Sequence, residues 1–414
     1  MGVSSPEPLM YSNPFVYKAF DLMSMEELDP LPYTGVTFGR QINSPGPWSG
    51  NLLLSDKGVK ELRYLESSRP ARTALFVDYL GTLIWGGMIW TRKYKETTRS
   101  MAVGAQEFGS YFQQRLQAAD YSTTWETEAG LSPLLIVQKI VEDAQAKELE
   151  LCGKYAAGKI GFTINATAGE APPIKVSYPA TQLQTIESIV STLSQMGLTA
   201  GFDYSFDVEY LPGTLTPAVT MNLWYPRQGR TAGETGIIIQ TSDLTDNEYS
   251  EDGTKQANSV TVTGSGSGGL QPADVIATQV LDEGYPLLET MVSHTQLNNE
   301  SVLVNVAFGE ARLRAWPVDT PVLTLPVPLP DAEGNVDPTK FSFGSFSLGD
   351  DFLWNVARLA GEGENQSPRW PNGMEYEWRI NGWTCTADPG KPTLTIDPGI
   401  PPTGPGWPAP APIE

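Results

Sequence analysis

The chain has 414 residues, more than one hydrophobic core ordinarily serves, so two or more domains are expected. Its 40 glycines and 34 prolines exceed the ~12% the two residues usually make up together, which favours many short strands over long helices. Lys and Arg number 27 against 48 Asp and Glu, for a net charge of −21, and this excludes binding nucleic acid or an anionic membrane through a basic face.

Residues 1–30 read as an N-terminal arm, since Pro6, Pro8 and Pro14 oppose a long helix. The arm carries Phe15, Val16, Phe20, Leu22 and Met23, which need a surface to cover, its own domain or a partner. The start lacks the basic residues and apolar run of a signal peptide, and no stretch approaches the ~20 apolar residues of a membrane span. A soluble protein made in the cytoplasm is expected.

Short strands are predicted at Val36–Phe38 and Leu52–Leu54, with the turn SPGPWSGN between them. Leu75, Val77 and Tyr79 then alternate, Gly81 marks a turn, and LIW and MIW flank Gly86–Gly87. Paired glycines inside a strand predict a bulge or a barrel corner. From Glu107 the period changes: Phe108, Tyr111, Phe112 and Leu116 share one helical face.

Ser132–Pro133 predicts a helix start, followed by Ile136, Val137, Ile140, Val141 and Ala144 on a broad apolar face. Leu183, Ile186, Ile189, Val190, Leu193 and Met196, closed by Gly197, predict a second helix. Phe202, Tyr204, Phe206 and Val208 alternate as a strand, with further strands at Met221–Tyr225, Gly236–Gln240 and Ser259–Thr263. A third helical region spans about Ala273–Ala315, broken at Gly284 and Pro286. Strands return at Val322–Val327, Phe341–Ser347, Phe352–Val356 and Glu375–Ala387, and residues 389–414 read as a Pro/Gly-rich tail outside any core.

Chemical motifs are weak. Gly264-x-Gly266-x-x-Gly269 has the glycine spacing of a dinucleotide fingerprint, but no second parallel strand ending in an acid follows it. His294 is the sole histidine, which removes HExxH and multi-His metal sites, and no G-x-S-x-G elbow exists. Cys152 and Cys385 read as two buried thiols. Asp350–Asp351 after Gly349 reads as a turn, and the 11 tryptophans serve equally as core, interface filler or sugar platforms. Catalytic, cofactor-binding and metal-ligating residues are therefore assigned to none, and no cofactor is expected.

The segments VDYLGTLIWGGMIW, EFGSYFQQRL, GFDYSFDV, NSVTVTGSGSGG, LGDDFLW and MEYEWRINGWTCTA, in that order, resemble the tail-hub (baseplate-hub, minor tail) proteins of long-tailed siphophages, of the actinobacteriophage type. Residues 1–30 and those after 388 lie outside the resemblance. It implies a β-rich α+β fold of two antiparallel β-barrel hub domains with inserted α/β material. The first barrel would span 31–125, the second 210–265 and 316–388, and the α/β part 126–209 and 266–315. It also implies a homotrimer ring at the tail tip of the virion. The ring would meet the hexameric distal tail protein, the tape measure C-terminus and a tail fibre or other minor tail proteins, and phage DNA would pass without specific binding. The structural or interface candidates are Trp85, Gly86, Gly87, Trp90, Phe108, Tyr111 and Phe112. The rival readings are a cell-wall hydrolase with carboxylate catalysis and a glycan-binding receptor module.

Overall fold

The computed structural model describes residues 13–122, 130–153, 160–166, 171–195, 201–266, 269–294, 300–331, 335–337, 340–356 and 373–399. Its strands in chain order are β1 (Phe15–Asp21), β2 (Thr34–Gln41), β3 (Pro47–Leu53), β4 (Thr73–Tyr79), β5 (Thr82–Lys95) and β6 (Ser100–Glu107). They continue with β7 (Thr163–Ala166), β8 (Asp203–Tyr210), β9 (Pro217–Trp224), β10 (Ile238–Gln240), β11 (Asp246–Asp252) and β12 (Ser259–Gly266). The last six are β13 (Gly269–Ile276), β14 (Glu289–His294), β15 (Val318–Pro326), β16 (Asp351–Val356), β17 (Met374–Thr386) and β18 (Thr393–Gly399). The longer helices are α1 (Pro133–Cys152), α2 (Ile186–Ser194) and α3 (Glu300–Arg314).

Twelve strands form one sheet in the order β1-β4-β5-β6-β3-β2-β17-β18-β15-β11, with β16 on β17 and β10 on β16. Six of them come from residues 15–107 and six from residues 238–399, and the two groups meet only where β2 pairs antiparallel with β17. No ladder among the described residues closes either group into a ring. Both groups share one interior, in which Phe38, Trp48 and Trp85 pack with Trp354, Ile380 and Ile396.

Strand β4 shows how the layers are built. Every residue of TALFVDY is buried. Period-two geometry sends Leu75 and Val77 to the sheet interior and Ala74 and Phe76 to the opposite face. There a second core begins, containing Phe108 and Phe112, Ile136 and Ile140 of α1, Ile189 and Leu193 of α2, and Phe206 of β8. Helix α1 starts at Pro133, a residue suited to the first helical position, although the Ser132 hydroxyl makes no capping bond. Helix α2 is capped by the Thr185 hydroxyl, which accepts from the Ser188 N–H at 3.2 Å. The expected end of this helix at Met196 and Gly197 lies outside the described residues.

Several expectations are corrected. Residues 15–21 are not an arm: FVYKAFD is an alternating strand that pairs with β4 along its whole length. Residues 393–399 are not tail: β18 lies between β17 and β15, and Leu394 and Ile396 are buried. The Pro and Gly flanking TLTI concealed a central strand. Residues 400–414 lie outside the described residues. Strands β9 and β12, read into the second barrel, pair elsewhere: β7-β9-β8 and β13-β12-β14 are separate three-stranded sheets. The region 273–315 is mixed rather than helical throughout, because Ala273–Ile276 belongs to β13 and residues 289–294 to β14. The glycine fingerprint is consequently a hairpin, with Gly266 opposite Gly269 and β13 running back along β12.

Candidate functional site at the junction of the sheets

Strand β17 changes neighbours along one edge. Its first half pairs with β16, ending at Arg379 opposite Asp351, and its second half pairs with β2, from Gly382 opposite Gln41. Asn381 is the extra residue of a bulge at this exchange. The backbone stays bonded across it. Gly349 N–H donates to Ile380 O at 2.8 Å, Ile380 N–H to Asp350 O at 2.9 Å, and Ile42 N–H to Asn381 O at 2.9 Å.

Around this exchange four guanidiniums meet five carboxylates. Arg379 is buried, and its Nη2 donates to Asp203 at the start of β8 and to Gln228 O at 2.8 Å. Asp203 also accepts from the Gln228 N–H at 2.8 Å and the Asn43 side-chain amide at 3.2 Å. Arg227 grips Asp351 with two bonds of 2.7 Å, the bidentate geometry that suits guanidinium to carboxylate. Arg230 reaches Asp350 at 2.5 Å, and Asp350 further accepts the N–H groups of Arg230 and Ser347, both at 2.9 Å. Arg40 on β2 bridges Glu107 at 2.9 Å and Asp207 at 2.7 Å. Burial pushes the Glu107 carboxyl up to about 7, outweighing the pull of Arg40 and of the Gly46 N–H. The two loops that carry these residues cross back to back at Gly229 (φ +91°) and Gly349 (φ +86°); a Cβ at Gly229 would lie 1.9 Å from the Gly349 carbonyl carbon.

This arrangement is built for holding. Each of the five carboxylates is paired with an arginine. Removing one member of such a pair leaves an uncompensated buried charge, which ordinarily costs several kcal/mol. Beside the ion pairs lies a cavity of about 460 Å³, walled by Arg40, Asp207, Trp224, Gln228 and Arg230, by Phe343 and Phe346, and by Trp383. Among the described residues no three His, Cys, Asp or Glu side chains are grouped to hold a metal ion.

The seven residues singled out in the sequence lie mostly at contacts inside the chain. Trp85 is fully buried, and its Nε1–H donates to Gly39 O at 2.9 Å, tying β5 to β2 across the interior. Gly86 and Gly87 are regularly paired. The bulges fall beside them, at Ile84 and Trp90. What the glycines permit is close approach: a Cβ on Gly86 would meet Val208 at 2.7 Å, and one on Gly87 would meet Gln106 O at 2.1 Å. Trp90 Nε1–H donates to Ser110 Oγ at 2.8 Å. Phe108 and Phe112 lie in a 3-10 helix, Phe108–Gln114, rather than an α-helix. Phe108 packs on Phe76, and Phe112 on Phe162 and Phe206. Tyr111 is half-buried and accepts a hydrogen bond from Arg115, which continues to Glu148 of α1.

The charged junction was missed from sequence. Asp350–Asp351 read as a turn, and Arg379 fell inside the predicted strand Glu375–Ala387 with no role assigned to it. The available signal was an arginine between Trp378 and Ile380, and a second, Arg40, in the strand TFGRQ.

No family model and no curated protein matches the sequence. The fold, however, is that of phage tail proteins. It is similar to the 43 kDa tail protein of prophage MuSo2 from Shewanella oneidensis, with a TM-score of 0.55 and 10% identity over 94% of this chain and 98% of that one. It is also similar to the tail protein from Neisseria meningitidis MC58 (TM-score 0.54, 10% identity, 92% and 96% covered). A third likeness is to prophage tail protein gp18 from Listeria monocytogenes EGD-e (TM-score 0.51, 12% identity, 92% and 94% covered).

Proposed function

We propose that the chain is a structural subunit of a phage tail tip, a hub that assembles as a homotrimer ring. The observation that carries this reading is the full-length likeness of its fold to three phage tail proteins. In this reading the two six-strand groups take the place of the two hub barrels. Three copies carrying two such groups each present six similar blocks around an axis, the match needed to meet a hexameric distal tail protein. A trimer ring uses one heterologous interface that closes on itself, and permanent interfaces of this kind bury upwards of ~2,000 Å². Exposed Leu215, Met291 and Phe308 are apolar surface available for such contacts.

The ring would hold the tape measure C-terminus on one side and a tail fibre or other minor tail proteins on the other. The net charge of −21 suits a passage that lets DNA slide without adhering. The junction supports a mechanical role, because ion pairs tie each six-strand group to the 203–230 segment: Arg40 of one to Asp207, and Arg379, Asp350 and Asp351 of the other to Asp203, Arg230 and Arg227. The glycan-binding alternative calls for aromatic platforms grouped on the surface; none of the eight described tryptophans is exposed, and the exposed aromatics are Tyr94, Tyr285 and Phe308 among the described residues. The hydrolase alternative calls for a free carboxylate pair, and the clustered carboxylates of the junction are engaged by arginine. Native mass measurement of the chain mixed with the distal tail protein of the same phage tests the reading. A complex holding three copies of the chain per six of the partner is expected. A mixture in which no complex forms, or one with six copies of the chain, would contradict it.

A further inference from the structure

The net charge of −21 is unevenly spread. Residues 1–110, which hold the first six-strand group, carry 11 Lys and Arg against 11 Asp and Glu. Residues 231–414, which hold the second, carry 8 against 25, a balance of −17. Such asymmetry favours head-to-tail contact between copies, because the acidic ends repel one another.

The neutral part gathers unpaired bases on one face, which the total charge conceals. Strand pairing lays two rows across β3, β6 and β5: Asn51–Ala102–Lys93 and Leu53–Ser100–Lys95. Their chain neighbours Leu52, Met101 and Val103 lie in the interior, so these rows form the outer face of the sheet. The Arg99 carbonyl, in the β5–β6 turn, accepts the Leu54 N–H at 2.8 Å, and the short helix Lys57–Glu61 follows directly. Lys57, Lys60, Lys93, Lys95 and Arg99 are exposed, and none has an ion-pair partner among the described residues. Leu53, 49% exposed, adds apolar surface among them.

The acidic part offers a match. β11 ends the strand order of the large sheet and pairs by one edge only, with β15. Period-two geometry puts Asp246, Glu248 and Asp252 on one face, all exposed and none in an ion pair among the described residues. Asp246 and Glu248 are two residues apart on one strand, about 6.8 Å, and so are Lys93 and Lys95. No ion pair among the described residues joins the two surfaces within the chain.

We propose that the basic outer face of β3, β6 and β5 docks the acidic face of β11 on a second copy of this chain. Lys93 and Lys95 meet Asp246 and Glu248, and the contact covers Leu53. The contact is heterologous and repeats from copy to copy until a ring closes, so the inference rests on the hub reading.

Charge reversal on the full chain tests it, with association read by sedimentation and native mass, alone and with the distal tail protein of the same phage. Association of the wild type should weaken as salt rises, because exposed charges are screened. Lys93→Glu with Lys95→Glu should raise the concentration needed for association roughly tenfold or more, and Asp246→Lys with Glu248→Lys should do the same. All four changes in one chain should restore association, because the pairs re-form with their signs exchanged. The four side chains are exposed, and unchanged thermal unfolding checks that each variant is folded. Three-copy complexes that form unaltered in both double variants would overturn this contact and leave the hub reading standing. Rescue by the fourfold variant in complexes of another copy number would uphold the contact and overturn the trimer. Failure of the fourfold variant to restore association would overturn the pairing. Loss of distal tail protein binding in the Lys93 and Lys95 variant, with association of copies intact, would give the basic face to that partner and overturn the proposal. A wild type whose copies never associate, in either setting, would overturn both.

Discussion

Arg379 shows how much one residue fixes in this fold. It sits where β17 exchanges β16 for β2, and its guanidinium reaches Asp203, Gln228 and Gly349. Replacing it by methionine keeps most of the volume and strands the Asp203 carboxylate, so Arg379→Met should destabilise by about 3–5 kcal/mol in denaturant unfolding at pH 7. A loss under 1 kcal/mol would show that the pair is ornamental. Glu107 makes a second prediction. Burial raises its carboxyl from 4.5 to about 7, so the folded chain holds this proton more tightly than the unfolded chain does. The stability this group contributes is full below pH 4.5 and is lost as pH rises through 7. In Glu107→Gln that dependence disappears, and the wild type should lose roughly 3 kcal/mol relative to the variant between pH 4.5 and 7.5. Parallel pH profiles would contradict it. Neither residue announced its role in the sequence, because Arg379 and Asp203 are 176 positions apart, and Arg40 and Glu107 are 67 apart. Periodicity reports which face a residue takes, and says nothing of which distant charge meets it.

At the scale of elements, legibility followed local pattern. The strands over 75–90 and the helices beginning near 133 and 186 were readable because alternation and helical spacing were strong there. β1 and β18 were hidden by flanking prolines and glycines, although FVYKAF and TLTI alternate as strands should. β13 was misread because four residues, ADVI, suit either period. The position of β18 matters for stability, since it is flanked by β17 and β15 and Ile396 is fully buried. Ile396→Ala should cost about 2–5 kcal/mol in a denaturation midpoint measurement, the usual range for a large-to-small core change. A terminal segment outside the core would show no such loss.

For the whole molecule, the shared interior of the two six-strand groups and the β2–β17 pairing join the halves directly, and ion pairs tie each half to the 203–230 segment beside them. Order of segments made the tail-hub resemblance legible in the sequence, and the three structural likenesses extend over nearly the full chain. The proposed homotrimer rests on the resemblance alone, because an interface between chains leaves no periodic signature in one chain. A reconstruction of the tail tip of the intact particle measures the number of copies most directly. The account predicts three copies of this chain around the tail axis, each offering two six-strand groups to the hexameric ring above. One copy, or six equivalent copies, would contradict it.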